Sequence, residues 1–370
     1  MEKSKVYFTD MRCRVGESLL KKMERLIKKA GIDGIDFKNK YAAIKIHFGE
    51  PGNLAFLRPN FAKVVVEYVK SRGGMPFLTD SNTLYVGRRN QALNHMDAAF
   101  ENGYTPFSTG CHNIIADGLK GTDDVEVPVP GGVHCKTAMI GRALMDADIV
   151  ISLTHFKGHE LSSFGGALKN VGMGGGSRAG KMQMHNQGKP CVDGQLCIGC
   201  KRCAQNCAHN AISFGAAKKA EIDHAKCVGC GRCIGCCNQN AIYNGSGTAN
   251  DVLNEKIAEY TKAVLHGRPH FHISVVNQVS PYCDCHGEND AAIIPDIGIF
   301  AGFDPVALDK ACLDAANAAP IIATSILAER EHSHGDHFIN VHPTTDGASQ
   351  IRHGEKIGLG SSEYELVTMK

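Results

Sequence analysis

Tryptophan is missing from this 370-residue chain, and aromatic residues make up only 6% of it, while glycine occurs 41 times. That balance suits a loop-rich α/β protein with an aliphatic core. Charge of a dominant sign is also missing: the formal net charge is +2, which argues against nucleic acid or membrane as a partner. No apolar run approaches a membrane span, and the opening residues MEKSKVYFTD hold no stretch of signal-peptide type. Low-complexity tracts are absent, and no glycine fingerprint of a dinucleotide site follows a first strand. NAD or flavin dependence is therefore unsupported. The length allows one large domain plus a smaller module. The 16 cysteines fit a reducing, cytoplasmic and anaerobic setting, in which thiolates serve metals rather than disulfides.

What the chain does have is one cysteine comb written twice. Cys197, Cys200, Cys203 and Cys207 are followed by Cys227, Cys230, Cys233 and Cys237 at a constant offset of 30. The repeat continues past the cysteines, as Asn210-Ala211-Ile212 recurs in Asn240-Ala241-Ile242. Three evenly spaced thiolates on a tight loop address one iron–sulfur cube, and the fourth reaches the other cube. By that rule one [4Fe-4S] cluster takes Cys197, Cys200, Cys203 and Cys237. The second takes Cys227, Cys230, Cys233 and Cys207. Zinc would call for two pairs of ligands instead. Cys236 stands beside Cys237, and the 30-residue register favours Cys237. Residues 190–245 resemble the bacterial two-cluster ferredoxins, but Ala208 and Asn238 stand where a proline usually follows the fourth cysteine. Between His185 and Gly247 there are seven Lys/Arg and three Asp/Glu. Such a basic module either solvates its surface or docks an acidic electron carrier of ferredoxin or flavodoxin type.

Strand-like and helix-like segments alternate on both sides of the combs. Helical spacing runs over 16–30, 58–72, 88–102 and 250–266, and buried strands read at 41–47, 75–79, 148–154 and 271–277. Residues 297–301 form a short apolar segment. Asp304-Pro305 opens a further helix, with an N-cap followed by proline in the first turn. The expectation is an α/β fold with a mainly parallel sheet and flanking helices. It is interrupted by the small module, giving units 1–187, 188–246 and 247–370. The boundaries fall at Gln187-Gly188 and Asn244-Gly245-Ser246-Gly247.

In open α/β sheets, ligands gather beyond the carboxyl ends of strands. Strand 41–47 delivers Lys45 and His47 there, on one side of the sheet, and 75–79 delivers Asp80. Strand 148–154 runs into His155, Lys157 and His159, candidates for a metal or an anionic substrate, or else hydrogen-bonding loop histidines. Lys169, Arg178 and Lys181 flank a glycine-rich run, Gly172 to Gly180. That run mimics a P-loop but has Met182 in place of the magnesium-binding Ser/Thr. It reads as an anion cradle, with a flexible linker as the alternative. Cys283 and Cys285 are a candidate third metal or redox site. The tail histidines His332, His334, His337 and His342 could chelate a metal, but a polar loop is favoured. Cys13, Cys111, Cys135 and Cys312 read as small core residues.

Together IKIHFGE (44–50), LTDSN (78–82), HFKGHE (155–160), FGGALKNVGMG (164–174) and SRAGKMQMH (177–185) resemble one family. YCDCH (282–286) and PDIGIFAGFDPVALDKA (295–311) extend the match. It is the group of iron–sulfur centre proteins classed as domain of unknown function three-sixty-two. The resemblance implies an α/β domain with an embedded two-cluster module and supplies no substrate. From the residues, the expected function is an iron–sulfur oxidoreductase. Its clusters pass electrons to a pocket where His155, His159, Lys45 and His47 act. Asp80, Lys157, Lys169, Arg178 and Lys181 hold a small anionic substrate. The alternatives are a non-catalytic electron carrier or adaptor, and a metal- or cluster-handling protein.

Overall fold

The structure is a computed structural model that describes residues 3–84, 87–185, 190–207, 209–227, 233, 237, 239, 241–244 and 247–369. Eight strands build one sheet: β1 (Ser4–Asp10), β2 (Tyr41–Lys45), β3 (Met75–Asp80), β4 (Asn113–Ile115), β5 (Ile149–His155), β6 (His270–Val276), β7 (Gly298–Gly302) and β8 (Tyr364–Thr368). Across the sheet they run β8-β1-β7-β6-β5-β2-β3-β4. Only β7 is reversed, antiparallel to both β1 and β6. The other pairings are all parallel. The fold is thus α/β with a mainly parallel central sheet, as expected.

Helices cover both faces. On one side α1 (Leu19–Lys29), α2 (Pro59–Ser71) and α3 (Ala92–Glu101) pack on Ala42, Ile44, Ile151 and Leu153. On the other, α4 (Ala167–Gly175), α5 (Arg178–His185), α6 (Gly247–Leu265) and α7 (Pro305–Asn317) pack on Ala43 and Val150. Burial on two faces is why β5 reads as one continuous apolar run, buried at every position. Asp304 caps α7, accepting from Val306 N (2.9 Å) and Ala307 N (3.0 Å), and Pro305 takes the first turn.

Several expectations shift. The helix read from 88 begins at Ala92, and strand β1 and edge strand β8 carried no clear sequence signal. The glycine-rich run is neither a cradle loop nor a linker, because Ala167–Gly175 and Arg178–His185 are helical. Its glycines serve close packing: a Cβ on Gly172 would sit 2.2 Å from the Ile257 carbonyl oxygen of α6. Cys111, Cys135 and Cys312 are buried, but Cys13 is exposed and belongs to no core.

The chain leaves the sheet after β2, proceeds outward through β3 and β4, and returns to place β5 on the other side of β2. The carboxyl ends of β2 and β5 therefore flank a topological switch point, where open α/β sheets form a crevice. Asn170 of α4 closes the floor of that crevice. Its Nδ2 donates to Lys45 O (3.1 Å), Leu153 O (3.2 Å) and Thr154 Oγ1 (2.9 Å).

The strands that precede and follow the combs, β5 and β6, are neighbours in the same sheet. Between them, Pro190–Val192 pairs with Ile242–Asn244, and Ile212–Phe214 pairs with Ala220–Ile222, both antiparallel. The 30-residue repeat thus becomes an inner hairpin and an outer ladder that joins the two ends of the module, around a small core holding Cys197, Cys203 and Cys233. The expected boundaries at Gln187-Gly188 and Gly245-Ser246 lie outside the described residues, as do Ala208 and Asn238.

Candidate functional site

A cleft of about 760 Å³ opens at the switch point. Lys45, His47, Asp80, Lys157, His159, Lys169 and Lys181 all line it, together with Cys283 and Cys285. Arg89 and His185 complete its polar wall, and Met173, Leu253 and Ile257 supply apolar surface. Each residue arrives by a different route. Lys45 and Asp80 end neighbouring parallel strands. Lys157 and His159 come from the hairpin after β5, Lys169 from α4 and Lys181 from α5.

Five cations face one lining carboxylate, and most are already engaged. Lys45, 1% exposed, pairs with Asp80 Oδ1 at 2.8 Å and donates to Asn170 Oδ1 at 2.9 Å. Arg89 meets Glu50 at 2.9 Å and Asp80 at 3.6 Å. Burial would raise the Asp80 carboxyl, but Lys45 and its cationic neighbours outweigh it and hold it below the usual range. Burial lowers Lys45 and brings Lys181 down to about 8. It also takes His47 well below the usual imidazole range, with Arg89 adding repulsion, while Gly49 N donates to His47 Nδ1 (3.0 Å). His185 falls to about 3, through burial and then repulsion from His159 and the lysines. Gly174 makes this arrangement sterically possible, since a Cβ there would stand 2.3 Å from Lys45 Nζ.

The thiols form the second feature. Cys283, 1% exposed, accepts from Cys285 N at 3.4 Å and from Lys169 Nζ at 3.5 Å. A hydrogen bond from the Cys285 thiol, with Lys169 and His159 opposing the cost of burial, holds Cys283 well below the usual thiol range. Cys285 is pushed up correspondingly. Against the cost of its own burial, Lys169 is raised by these sulfurs and by Glu160. His159, Cys283 and Cys285 offer donor atoms within 4.8 Å of one another, as do Glu160, Cys285 and His286. The tautomer of His159 bears on the first set. Its Nδ1 accepts from Leu161 N and Ser162 N, each at 3.1 Å, so the ring hydrogen belongs on Nε2. A nitrogen that bears hydrogen donates to a thiolate and does not ligate a metal.

The other candidates fall elsewhere. His155 does not line the cleft: Nδ1 contacts both oxygens of Asp284 at 2.9 Å and Nε2 contacts Asn277 O at 2.8 Å. It orients Asp284, which lies 3.6 Å from Lys157 Nζ. Arg178 is also away from the cleft, with Nη2 on Asn90 O. The tail histidines do not assemble. His332, His337 and His342 each contact a backbone carbonyl oxygen, of Leu327, Ala319 and Pro281.

In the comb module, Cys197, Cys200, Cys203 and Cys237 line one cavity of about 330 Å³, the set expected for a single cluster. Ala220 N donates to Cys197 Sγ (3.4 Å), and Ala211 N donates to Cys207 Sγ (3.3 Å). The all-thiol donor set around that cavity fits a cube. Cys227, Cys233 and Cys207 are described; Cys230 lies outside the described residues.

A family described as a domain of unknown function, DUF362, matches residues 42–314, most of the chain. The chain belongs to that family. No curated protein matches it. Among solved structures it is similar to a protein from Thermotoga maritima, at 12% identity and TM-score 0.41. That match covers 80% of this chain and 58% of the other, so the chain spans little more than half of that protein. It is also similar to the lactate racemase apoprotein from Thermoanaerobacterium thermosaccharolyticum, at 11% identity and TM-score 0.44, covering 99% and 82%. No helix among the described residues of this DUF362 protein is long and apolar enough to cross a membrane.

Arg89 in the cleft wall and Glu160 beside the cleft escape sequence reasoning. Arg89 sits in a turn before α3, and only its long-range partners Glu50 and Asp80 reveal it. Glu160, near His286 (3.0 Å) and His159 (3.7 Å), was visible only as part of a loop.

Proposed function

We propose that this DUF362 protein is an iron–sulfur oxidoreductase that delivers electrons to a small anionic substrate in the switch-point cleft. The observation that carries the reading is the gathering of Lys157, Lys169, Lys181 and His159 with the buried Cys283 and half-buried Cys285 thiols in one cleft. Cys197, Cys200, Cys203 and Cys237 would hold one [4Fe-4S] cluster, and Cys227, Cys230, Cys233 and Cys207 the other. When bound, such clusters supply single low-potential electrons. The cleft's own residues do the rest. Lys169 and Lys181 attract the anion, Lys45 and Arg89 fix Asp80, and His159 Nε2 offers a proton at the thiols.

Proximity supports the coupling of module and cleft. His185, on the cleft wall, precedes the module's first strand by five residues. Leu253, also on the wall, lies six residues into α6, or about 9 Å along its axis. Exposed Lys201, Arg202, Lys218 and Lys226 would dock an acidic carrier of ferredoxin or flavodoxin type.

The test is electron paramagnetic resonance of anaerobically reduced protein titrated with phosphate and with small dicarboxylates. The reading expects cluster signals perturbed by the anion, with affinity about tenfold weaker in Lys169→Gln. Signals unaffected by anions and by substitution of Lys181 and His159 would refute it.

A further inference from the structure

The CxC thiols are not needed to hold either cluster, yet they are the most strongly organised sulfurs in the cleft. Cys283 is almost fully buried, lines the cleft, and receives three kinds of donor: the Cys285 backbone N–H, the Lys169 ammonium and the His159 ring. This is the environment of a nucleophilic thiolate rather than an inert core thiol. Its neighbour Cys285 stands within reach: both sulfurs and a His159 nitrogen lie within 4.8 Å of one another. The His159 tautomer, set by Leu161 N and Ser162 N, points a hydrogen at the sulfurs.

We propose that Cys283 and Cys285 form a redox-active dithiol/disulfide pair acting on a small anionic disulfide drawn in by the cleft's cations. The Cys283 thiolate attacks one sulfur of the substrate, RS–SR. A Cys283–S–S–R bond forms, the substrate S–S bond breaks, and one RS⁻ leaves. Cys285 then loses its proton to solvent and attacks the Cys283 sulfur. The second RS⁻ leaves, protonated by that same proton, and a Cys283–Cys285 disulfide remains. Two electrons and one proton restore the thiolate–thiol pair. This last step rests on the proposed function, since one electron from each of two [4Fe-4S] clusters matches the two that the disulfide takes up. A disulfide closed across a single intervening residue is strained, which makes it readily reducible.

The test uses anaerobic protein with its clusters in place. Iodoacetamide at pH 6.5, with peptide mass spectrometry, should label Cys283 at least about tenfold faster than Cys111, Cys135 or Cys312, and Lys169→Gln should slow it about tenfold. A limiting amount of 5,5′-dithiobis(2-nitrobenzoate), a dianionic disulfide, should produce a peptide carrying a Cys283–Cys285 disulfide. Cys285→Ser should stop at a mixed disulfide on Cys283, and Cys283→Ser should abolish both. Uncharged 4,4′-dithiodipyridine should react more slowly in the wild type, and this preference should vanish in Lys169→Gln. Cys283 labelled no faster than core cysteines, or no 283–285 disulfide, would overturn the pair. So would a bound metal lost on Cys283→Ser. If the disulfide forms but reduced clusters do not return it to thiols, the pair stands and the proposed electron route fails.

Discussion

Lys45→Met isolates the electrostatic frame of the cleft. The substitution keeps the aliphatic stem and removes an ammonium 2.8 Å from Asp80 and 2.9 Å from Asn170 Oδ1. At an effective dielectric of 20, the lost attraction at that distance is about 6 kcal/mol before solvation is considered. Releasing Lys45 from a site where it is 1% exposed returns several kcal/mol of that. Breaking a buried pair from one side costs about 3–5 kcal/mol net. Arg89, 3.6 Å from Asp80, remains and partly compensates the stranded carboxylate, so a loss of about 2–4 kcal/mol is expected. Lys45→Met/Asp80→Asn removes both charges and should lie within about 1 kcal/mol of wild type. Urea unfolding of anaerobic protein followed by circular dichroism measures both, as the chain has no tryptophan to report. A single variant within 1 kcal/mol of wild type, or a double variant no better than the single, would refute the reasoning.

Other expectations follow from the same geometry. Gly174→Ala places a Cβ 2.3 Å from Lys45 Nζ; it should cost about 1–3 kcal/mol and weaken anion binding, both read by thermal melts with and without phosphate. Because Lys181 titrates near about 8, it is cationic below that pH and neutral above it. Anion affinity measured by calorimetry should therefore fall as pH rises through 8, and Lys181→Met should flatten that step. The depressed value also means that the folded chain holds Lys181 less protonated than the unfolded chain does between about 8 and 10.5. Stability from this group thus rises with pH across that window, and Lys181→Met should remove the rise in a urea series. Cys237→Ser and Cys203→Ser should lose the same cluster, with matching residual spectra, whereas Cys207→Ser should lose the other.

How much was legible in the sequence differs by feature. The comb was readable because its chemistry is local, and spacing alone aims three thiols at one volume. Crossing of Cys237 to the first set was an expectation from the comb's spacing, and Cys237 lines the same cavity as Cys197, Cys200 and Cys203. Lys45, His47 and Asp80 were found because parallel strands deliver their last residues to one edge. Arg89 was not, since its role depends on Glu50 and Asp80, far away in the chain. The glycine run misled because glycine serves two ends, loop freedom and close helix contact. Only the approach of Ile257 to Gly172 decides between them. Likewise β1 and the edge strand β8 take their strand character from long-range pairing, with each other and of β1 with β7. Arg178 shares a helix with Lys181 and yet faces Asn90, a difference of helix face that the sequence run conceals.

The measurement that bears most directly on the account is iron and acid-labile sulfide per chain in anaerobically prepared protein, with the resonance spectrum of its reduced form. The account predicts about eight irons and eight sulfides per chain and two magnetically interacting clusters. Stoichiometric zinc in their place, or four irons unchanged by Cys237→Ser, would contradict it.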